Sequence, residues 1–153
     1  MSIEAKLAEL NLTLPTPPKP VASYVPCVRT GNLVIVSGQL PSVDGKLLFT
    51  GKVPSGVELE HAQQCARQCV LNGLAILKAE LGGDWSKLVR VVRVGGFVQS
   101  DDDYTAQPQV INGASDLLVQ LLGDAGKHAR AAVGVNALPL GAPVEIEFTF
   151  EVR

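Results

Sequence analysis

Residues 130–153 read Arg-Ala-Ala-Val-Gly-Val-Asn-Ala-Leu-Pro-Leu-Gly-Ala-Pro-Val-Glu-Ile-Glu-Phe-Thr-Phe-Glu-Val-Arg. The second half alternates strictly. Val144, Ile146, Phe148, Phe150 and Val152 fall on one side, and Glu145, Glu147, Thr149 and Glu151 on the other. Successive side chains of a strand point to opposite faces, so this pattern predicts a strand over Val144–Val152 with one face in a core. Ala131–Ala137 is a second strand-like run, separated from the first by a turn rich in Pro and Gly. An arginine starts the earlier strand and a row of carboxylates begins the later one. A fixed cation beside a fixed proton carrier is a plausible small-anion site.

Working outward, Val110, Ala114, Leu117, Leu118 and Leu121 mark the inner face of a helix from about Pro108 to Leu122. Asp101-Asp102-Asp103 reads as a turn or helix start. Leu88–Val98 is valine-rich and strand-like, with Gly95-Gly96 predicting a bulge or a close backbone approach. Ala62, Cys65, Ala66, Cys69, Val70, Leu74 and Leu77 form an apolar stripe at helical steps, so Glu58–Leu81 is a helix that stops at Gly82-Gly83. Leu47–Thr50 fits a short strand between turns at Val43–Gly45 and Pro54–Gly56. Ser23–Val28 and Leu33–Ser37 flank Arg29-Thr30-Gly31-Asn32 and predict a hairpin. Leu33–Val36 is apolar at every position, which predicts cover on both faces. Ile3, Leu7 and Leu10 place a short amphipathic helix at Ser2–Leu10, and Pro15, Pro17, Pro18 and Pro20 impose an extended lead-in.

The order is two or three strands, helix, strand, helix, two strands: an α+β fold, a mixed sheet with two helices packed on one face. The 153 residues make a single domain, with 1–22 an N-terminal arm and 23–153 the core. Two helices blanket only one sheet face, so the other face predicts a partner surface and a closed homo-oligomer.

Thirteen basic against fifteen acidic residues give a net charge of -2, without a basic block for nucleic acid. Cys27, Cys65 and Cys69 are an odd number without framework spacing, which points to reduced thiols. The chain lacks a secretory pattern and any apolar run of membrane length, so no membrane partner and a cytoplasmic location are expected.

Arg130 offers a planar, permanently charged fork suited to a carboxylate, or equally a strand-end partner for a surface acid. Glu145 could orient a water or shuttle a proton; a solvated strand face with Glu147 and Glu151 is the plainer alternative. Tyr24, Ser37 and Asn112 are uncharged donors for a small polar ligand, and Gly38 lets a ligand approach the backbone. His61 and His128, the only histidines, would serve a ribonuclease-type acid/base pair only side by side. Cys65 and Cys69 lie one helical turn apart without a companion ligand, which favours two small buried hydrophobes over half a metal site. Cys27 has no adjacent base. Arg90 and Arg93 interrupt the valine strand on opposite faces.

Three blocks give the chain a resemblance to the Rid family, also called YjgF-type and labelled endoribonuclease L-PSP. They are Tyr24–Pro41 with its Gly-Asn and Ser-Gly-Gln-Leu-Pro, the helix Glu58–Leu81 with the strand after it, and the arginine with Leu-Pro, Gly-Ala and Val-Glu-Ile-Glu quoted at the outset. The resemblance implies a chorismate-mutase-like fold and a homotrimer with ligand clefts between subunits, the pairing within the sheet remaining open. It implies hydrolysis of 2-imino/2-enamino acids such as 2-aminoacrylate to 2-keto acids and ammonia, the alternative being a trimeric binding protein for a carboxylate metabolite. Arg130 would then grip the substrate carboxylate and Glu145 position the attacking water. The backbone carbonyl of Ala132 would help hold that water, and Tyr24, Ser37, Gly38 and Asn112 would line the pocket. Neither a cofactor nor a metal is called for, because an imine carbon is already electrophilic. The chain departs from many deaminating members in having Ala132 in place of a cysteine. Its longer lead-in and its Asp101–Gln107 segment resemble a longer-chain branch.

Overall fold

The structure, a computed structural model, describes residues 2–17 and 23–153. Helices α1 (Ile3–Glu9), α2 (Leu59–Glu80) and α3 (Gln107–Leu122) alternate with strands β1 (Cys27–Thr30), β2 (Leu33–Gln39), β3 (Ser42–Val43), β4 (Lys46–Leu47), β5 (Leu88–Gln99), β6 (Ala129–Val135) and β7 (Val144–Val152) in the order α1-β1-β2-β3-β4-α2-β5-α3-β6-β7. The main sheet runs β1-β2-β7-β5-β6, and β3 and β4 form a separate ribbon. Only β5 and β6 pair in parallel; the other pairs of the main sheet are antiparallel. A parallel pair needs a crossover, and α3 supplies it.

The alternating run becomes the middle strand. Val144, Ile146, Phe148, Phe150 and Val152 are buried on the side covered by α2 and α3, while Glu145, Glu147, Thr149 and Glu151 stay half-exposed on the other. A Cβ on Gly73 of α2 would come within 2.8 Å of the Phe148 ring, so the helix lies directly on β7 there. Asn72, buried beside it, donates from Nδ2 to the carbonyls of Leu40 and Ser42 and ties α2 to the chain leaving β2. The short helix α1 adds Ile3 and Leu7 to the core.

Several expectations shift. The N-terminal helix is confirmed; of the proline lead-in, 18–22 lie outside the described residues, and 12–17, with Pro15 and Pro17, carry no regular structure. The hairpin turns through Gly31-Asn32 alone, with Thr30 opposite Leu33. Residues 47–50 are not a strand of their own; pairing stops at Leu47, opposite Ser42, the first residue of β3. The Leu33–Val36 strand is covered on one side only, because Val34 and Val36 are buried while Ile35 is 46% exposed. Residues 131–137 are strand from Ala129 to Val135, because parallel pairing begins at Arg93 opposite Ala129 and β5 runs out at Gln99 opposite Val135. Asp101–Asp103 is a turn and not a helix start; Asp101 accepts from the Ser55 backbone N–H and hydroxyl at 2.9 and 2.8 Å. Gly95 and Gly96 mark close approaches and no bulge. A Cβ at either would stand 2.6 Å from Glu147 and from Ile111, respectively.

The bulges of β5 lie upstream, where the register with β7 shifts between Leu88 and Arg90 and between Val91 and Arg93. Each inserted residue reverses the alternation once. Arg90 and Arg93 consequently stand opposite Glu151 and Thr149 on the same open face, not on opposite faces. That face also exposes Val28, Ile35 and Val133, each about half accessible. No described helix is long and apolar enough to cross a membrane.

Candidate functional site

Two groups of polar side chains stand out. The first forms where β2 meets β7. Val36 pairs with Phe148 and Gln39 with Ile146, so Ser37 and Gly38 together oppose Glu147: a β-bulge. The strand does not end at Ser37 as its sequence suggested, and the group that crowds Gly38 is Glu145. A Cβ at position 38 would sit 2.9 Å from Glu145 Oε1, so the glycine leaves the room that the carboxylate occupies. Buried Gln39 turns its Nε2 onto the carbonyls of Ser37 (2.8 Å) and Gly38 (3.4 Å), fixing the bulge from beneath. Ser37 Oγ donates to the Val25 carbonyl at 2.7 Å and its backbone N–H donates to Pro26, which holds the segment carrying Tyr24. Tyr24 itself is 60% exposed.

Glu145 is half-buried on the open face. Burial, and then the charge of Glu147, raise its pKa above the ordinary carboxyl value. Glu147 has a cation, Arg93 Nη1 at 2.9 Å; among the described residues no lysine, arginine or histidine pairs with Glu145. In the folded protein Glu145 thus holds its proton to higher pH than in the unfolded chain. Stability falls as pH rises from the unfolded carboxyl value through the raised folded one, and the penalty is fully present above that window. Glu145→Gln is therefore expected to melt at or above the wild-type temperature at neutral pH, and the two to converge in acid. A clearly lower melting temperature for the variant at neutral pH would contradict this environment for Glu145.

The second group forms where β6 meets α3. Arg130 is in register with Val94, which is fully buried under the helices, so the arginine leaves the sheet on the helix side. Its Nη1 donates to Asn112 Oδ1 at 2.8 Å and to Ser115 Oγ at 3.1 Å, two side chains three residues apart on one face of α3. Ser115 Oγ lies 2.9 Å from His128 Nε2, and His128 Nδ1 lies 2.6 Å from the Gly126 carbonyl. Ala132, on the same side of β6 as Arg130, packs against the core. At Gly134 a Cβ would meet Ser100 Oγ and Gln107 Nε2 at 2.6 and 2.7 Å, so the chain around the start of α3 sits tightly on the end of β6.

A family model described as "YjgF/chorismate mutase-like, putative endoribonuclease" matches residues 4–150. The chain belongs to the YjgF/chorismate mutase-like family. Protein TCP17 of Trypanosoma cruzi is 39% identical over 152 residues, covering 99% of this chain and 94% of that protein. The 2-iminobutanoate/2-iminopropanoate deaminase of Dermatophagoides farinae is 29% identical over 136 residues, covering 89% and 91%. The crystal structure of Atu1372 from Agrobacterium tumefaciens superposes with a TM-score of 0.91 at 47% identity, over 98% of this chain and 91% of that one.

In this YjgF-like chain the residues singled out from sequence do not all meet. Arg130, Asn112 and Ala132 gather at β6; Tyr24, Ser37, Gly38 and Glu145 gather around β2 and β7. Strands β7 and β5 separate β2 from β6, so those two strands lie roughly 14 Å apart at ordinary strand spacing. More decisively, Arg130 and Glu145 project from opposite faces of the sheet. One protomer cannot turn both onto one small ligand.

The histidines do not pair in this YjgF-like fold. His61 stacks on Phe49 with ring centroids 4.3 Å apart and lies 3.2 Å from Glu58, whereas His128 is held by Ser115 and Gly126. Cys65 and Cys69 are buried on α2; burial pushes the Cys65 thiol up to about 11 and Cys69 well above the ordinary thiol value. Among the described residues no cluster of three or more His, Cys, Asp or Glu could hold a metal. Burial and then Glu80 raise the Cys27 thiol, opposite to what a nucleophile requires.

Sequence reading missed Ser115, Gln39 and Gln99. Ser115 was detectable as the i+3 neighbour of Asn112 on α3. Gln39 and Gln99 had no such signal. Buried Gln99 accepts from the Leu138 backbone N–H at 2.8 Å and so anchors the loop between β6 and β7.

Proposed function

We propose that the protein assembles as a homotrimer and hydrolyses 2-imino/2-enamino acids to 2-keto acids and ammonia at clefts between protomers. The observation that carries this reading is the placement of Arg130 and Glu145 on opposite faces of one sheet. Arg130 is exposed and held by Asn112 and Ser115, and Glu145 is half-buried against Gly38, so the two halves of a site can meet only across an interface. The half-exposed apolar residues Val28, Ile35 and Val133 on the open face supply a surface for such an interface. The name of the Dermatophagoides relative adds support for the substrate class.

In this cleft Arg130 of one protomer grips the substrate carboxylate. Asn112 holds the guanidinium, and the Ala132 carbonyl accepts from a water. Glu145 of the neighbour orients that water toward the imine carbon and takes its proton. The water oxygen bonds to carbon as the C=N π electrons move to nitrogen, which gains a proton. The resulting carbinolamine then loses ammonia as the carbonyl forms. Atoms balance as imine plus water giving keto acid plus ammonia. Tyr24, held over the cleft edge by the Ser37 contact to Val25, and Gly38 shape the remaining wall.

The test is to generate 2-iminopropionate in situ and follow keto-acid and ammonia release with and without the protein, sizing the assembly in parallel. The expected result is acceleration over the uncatalysed rate by a particle of three chains. A trimer that binds keto acids without acceleration would replace hydrolysis with a carboxylate-binding role. A stable monomer at low micromolar concentration would remove the shared cleft altogether.

A further inference from the structure

Gly126 O has only lone pairs to offer, so the Nδ1 that meets it at 2.6 Å carries the hydrogen. With the ring neutral, Nε2 is then an acceptor, and the Ser115 hydroxyl 2.9 Å away donates to it. That directs the remaining Ser115 lone pairs toward Arg130 Nη1 at 3.1 Å. Asn112 Oδ1 takes the other Nη1 hydrogen at 2.8 Å. Both hydrogens of Nη1 are thereby committed to the protein, while among the described residues Nε and Nη2 of Arg130 meet no acceptor. A guanidinium presents its donors in a rigid planar fork, so committing one nitrogen determines the edge it offers a ligand.

Resting on the reading of Arg130 as the carboxylate grip, we infer that His128 and Ser115 are positioning residues. They hold the guanidinium so that its Nε/Nη2 edge receives the two coplanar oxygens of a 2-keto or 2-imino acid. The chain of direction is Gly126 carbonyl to His128 tautomer, to Ser115 hydroxyl, to the roll of the arginine about its own stem. A carboxamide, which turns an N–H₂ toward one of those donors, fits this edge poorly. Discrimination between an acid and its amide therefore depends on groups that never touch the ligand.

The experiment measures binding of 2-oxobutyrate and of 2-oxobutanamide by calorimetry, and KM and kcat with 2-iminopropionate. It compares wild type, Ser115→Ala, His128→Phe and His128→Gln. Phenylalanine keeps a ring without the acceptor; glutamine keeps an acceptor at about the reach of Nε2. Ser115→Ala and His128→Phe are expected to weaken 2-oxobutyrate about tenfold and to narrow the acid-over-amide preference. They should raise KM far more than they lower kcat. His128→Gln should stay within about threefold of wild type on the same measures. Wild-type affinity in both Ser115→Ala and His128→Phe overturns the inference, and so does an equal loss in the glutamine and phenylalanine variants. A wild type that takes up 2-oxobutyrate but does not accelerate hydrolysis removes the proposed reaction alone, and the binding arm still decides the roles of His128 and Ser115. A wild type that prefers neither acid nor amide overturns the carboxylate grip and this inference with it.

Discussion

Arg130→Ala is expected to lower kcat/KM for 2-iminopropionate about ten- to a hundredfold, the loss of a charge-assisted bidentate contact. Glu145→Gln should likewise be nearly inactive, because the amide cannot take a proton from water. Co-expressed in equal amounts, the two variants are expected to regain activity. In a heterologous ring, each cleft draws its arginine from one chain and its carboxylate from the next. Half the chains carry an intact Arg130 and the other half an intact Glu145, so random assembly yields about one quarter intact clefts. A site confined to one protomer would yield none. Ammonia release from the mixed sample therefore reads out the geometry directly. Activity no higher than that of the two variants measured separately would mean that Arg130 and Glu145 do not share a cleft across an interface.

Phe148→Ala carries the largest expected effect on stability, about 3–5 kcal/mol. The side chain is 1% exposed, in the middle of the central strand. It packs beside Phe150, with ring centroids 5.9 Å apart, and under the close approach of Gly73. Neither contact leaves a side chain able to collapse into the gap: Gly73 has none, and Phe150 is fixed by its own place in the strand. Denaturation in urea at matched protomer concentration measures the difference, since assembly contributes to apparent stability. A loss below about 1 kcal/mol, the scale of an ordinary surface substitution, would mean that α2 does not rest on this ring.

Much of the fold was legible because one physical rule governs each element. Val144–Val152 was readable to the residue because a half-buried strand must alternate, and this one does so without interruption. Helix α2 was readable because its apolar stripe repeats at helical steps and Gly82-Gly83 stops it. The same rule misled at Arg90 and Arg93. Three residues along a regular strand change faces, but the one bulge between them, at Val92, keeps both on the open face. No local pattern announces such a bulge when the inserted residues, Val89 and Val92, are valines like their neighbours. The bulge at Ser37-Gly38 was hidden for a related reason: glycine signals a close approach but not what makes it, and here it is the Glu145 carboxylate.

The candidate site was legible as a set of residue types and only partly as a place. Arg130 and Glu145 stood out as a cation and a carboxylate near the starts of neighbouring runs in sequence, and the resemblance to the Rid family assigned them roles. Their proximity in sequence suggested proximity in space. The sheet order overrules that, because β5 inserts between β6 and β7 and the two side chains leave by opposite faces.

By itself, the sequence determined the main helices and strands, the apolar faces of α2, α3 and β7, and which residues carry charge or donors. Those properties follow from local backbone geometry and the cost of leaving apolar surface in water. Only the tertiary structure decided that Glu145 packs against Gly38 and that His128 reaches Arg130 through Ser115. It alone also placed Arg130 and Glu145 on different faces. Strand order, bulges and crossover direction arise from contacts between residues far apart in the chain, and no local pattern encodes them.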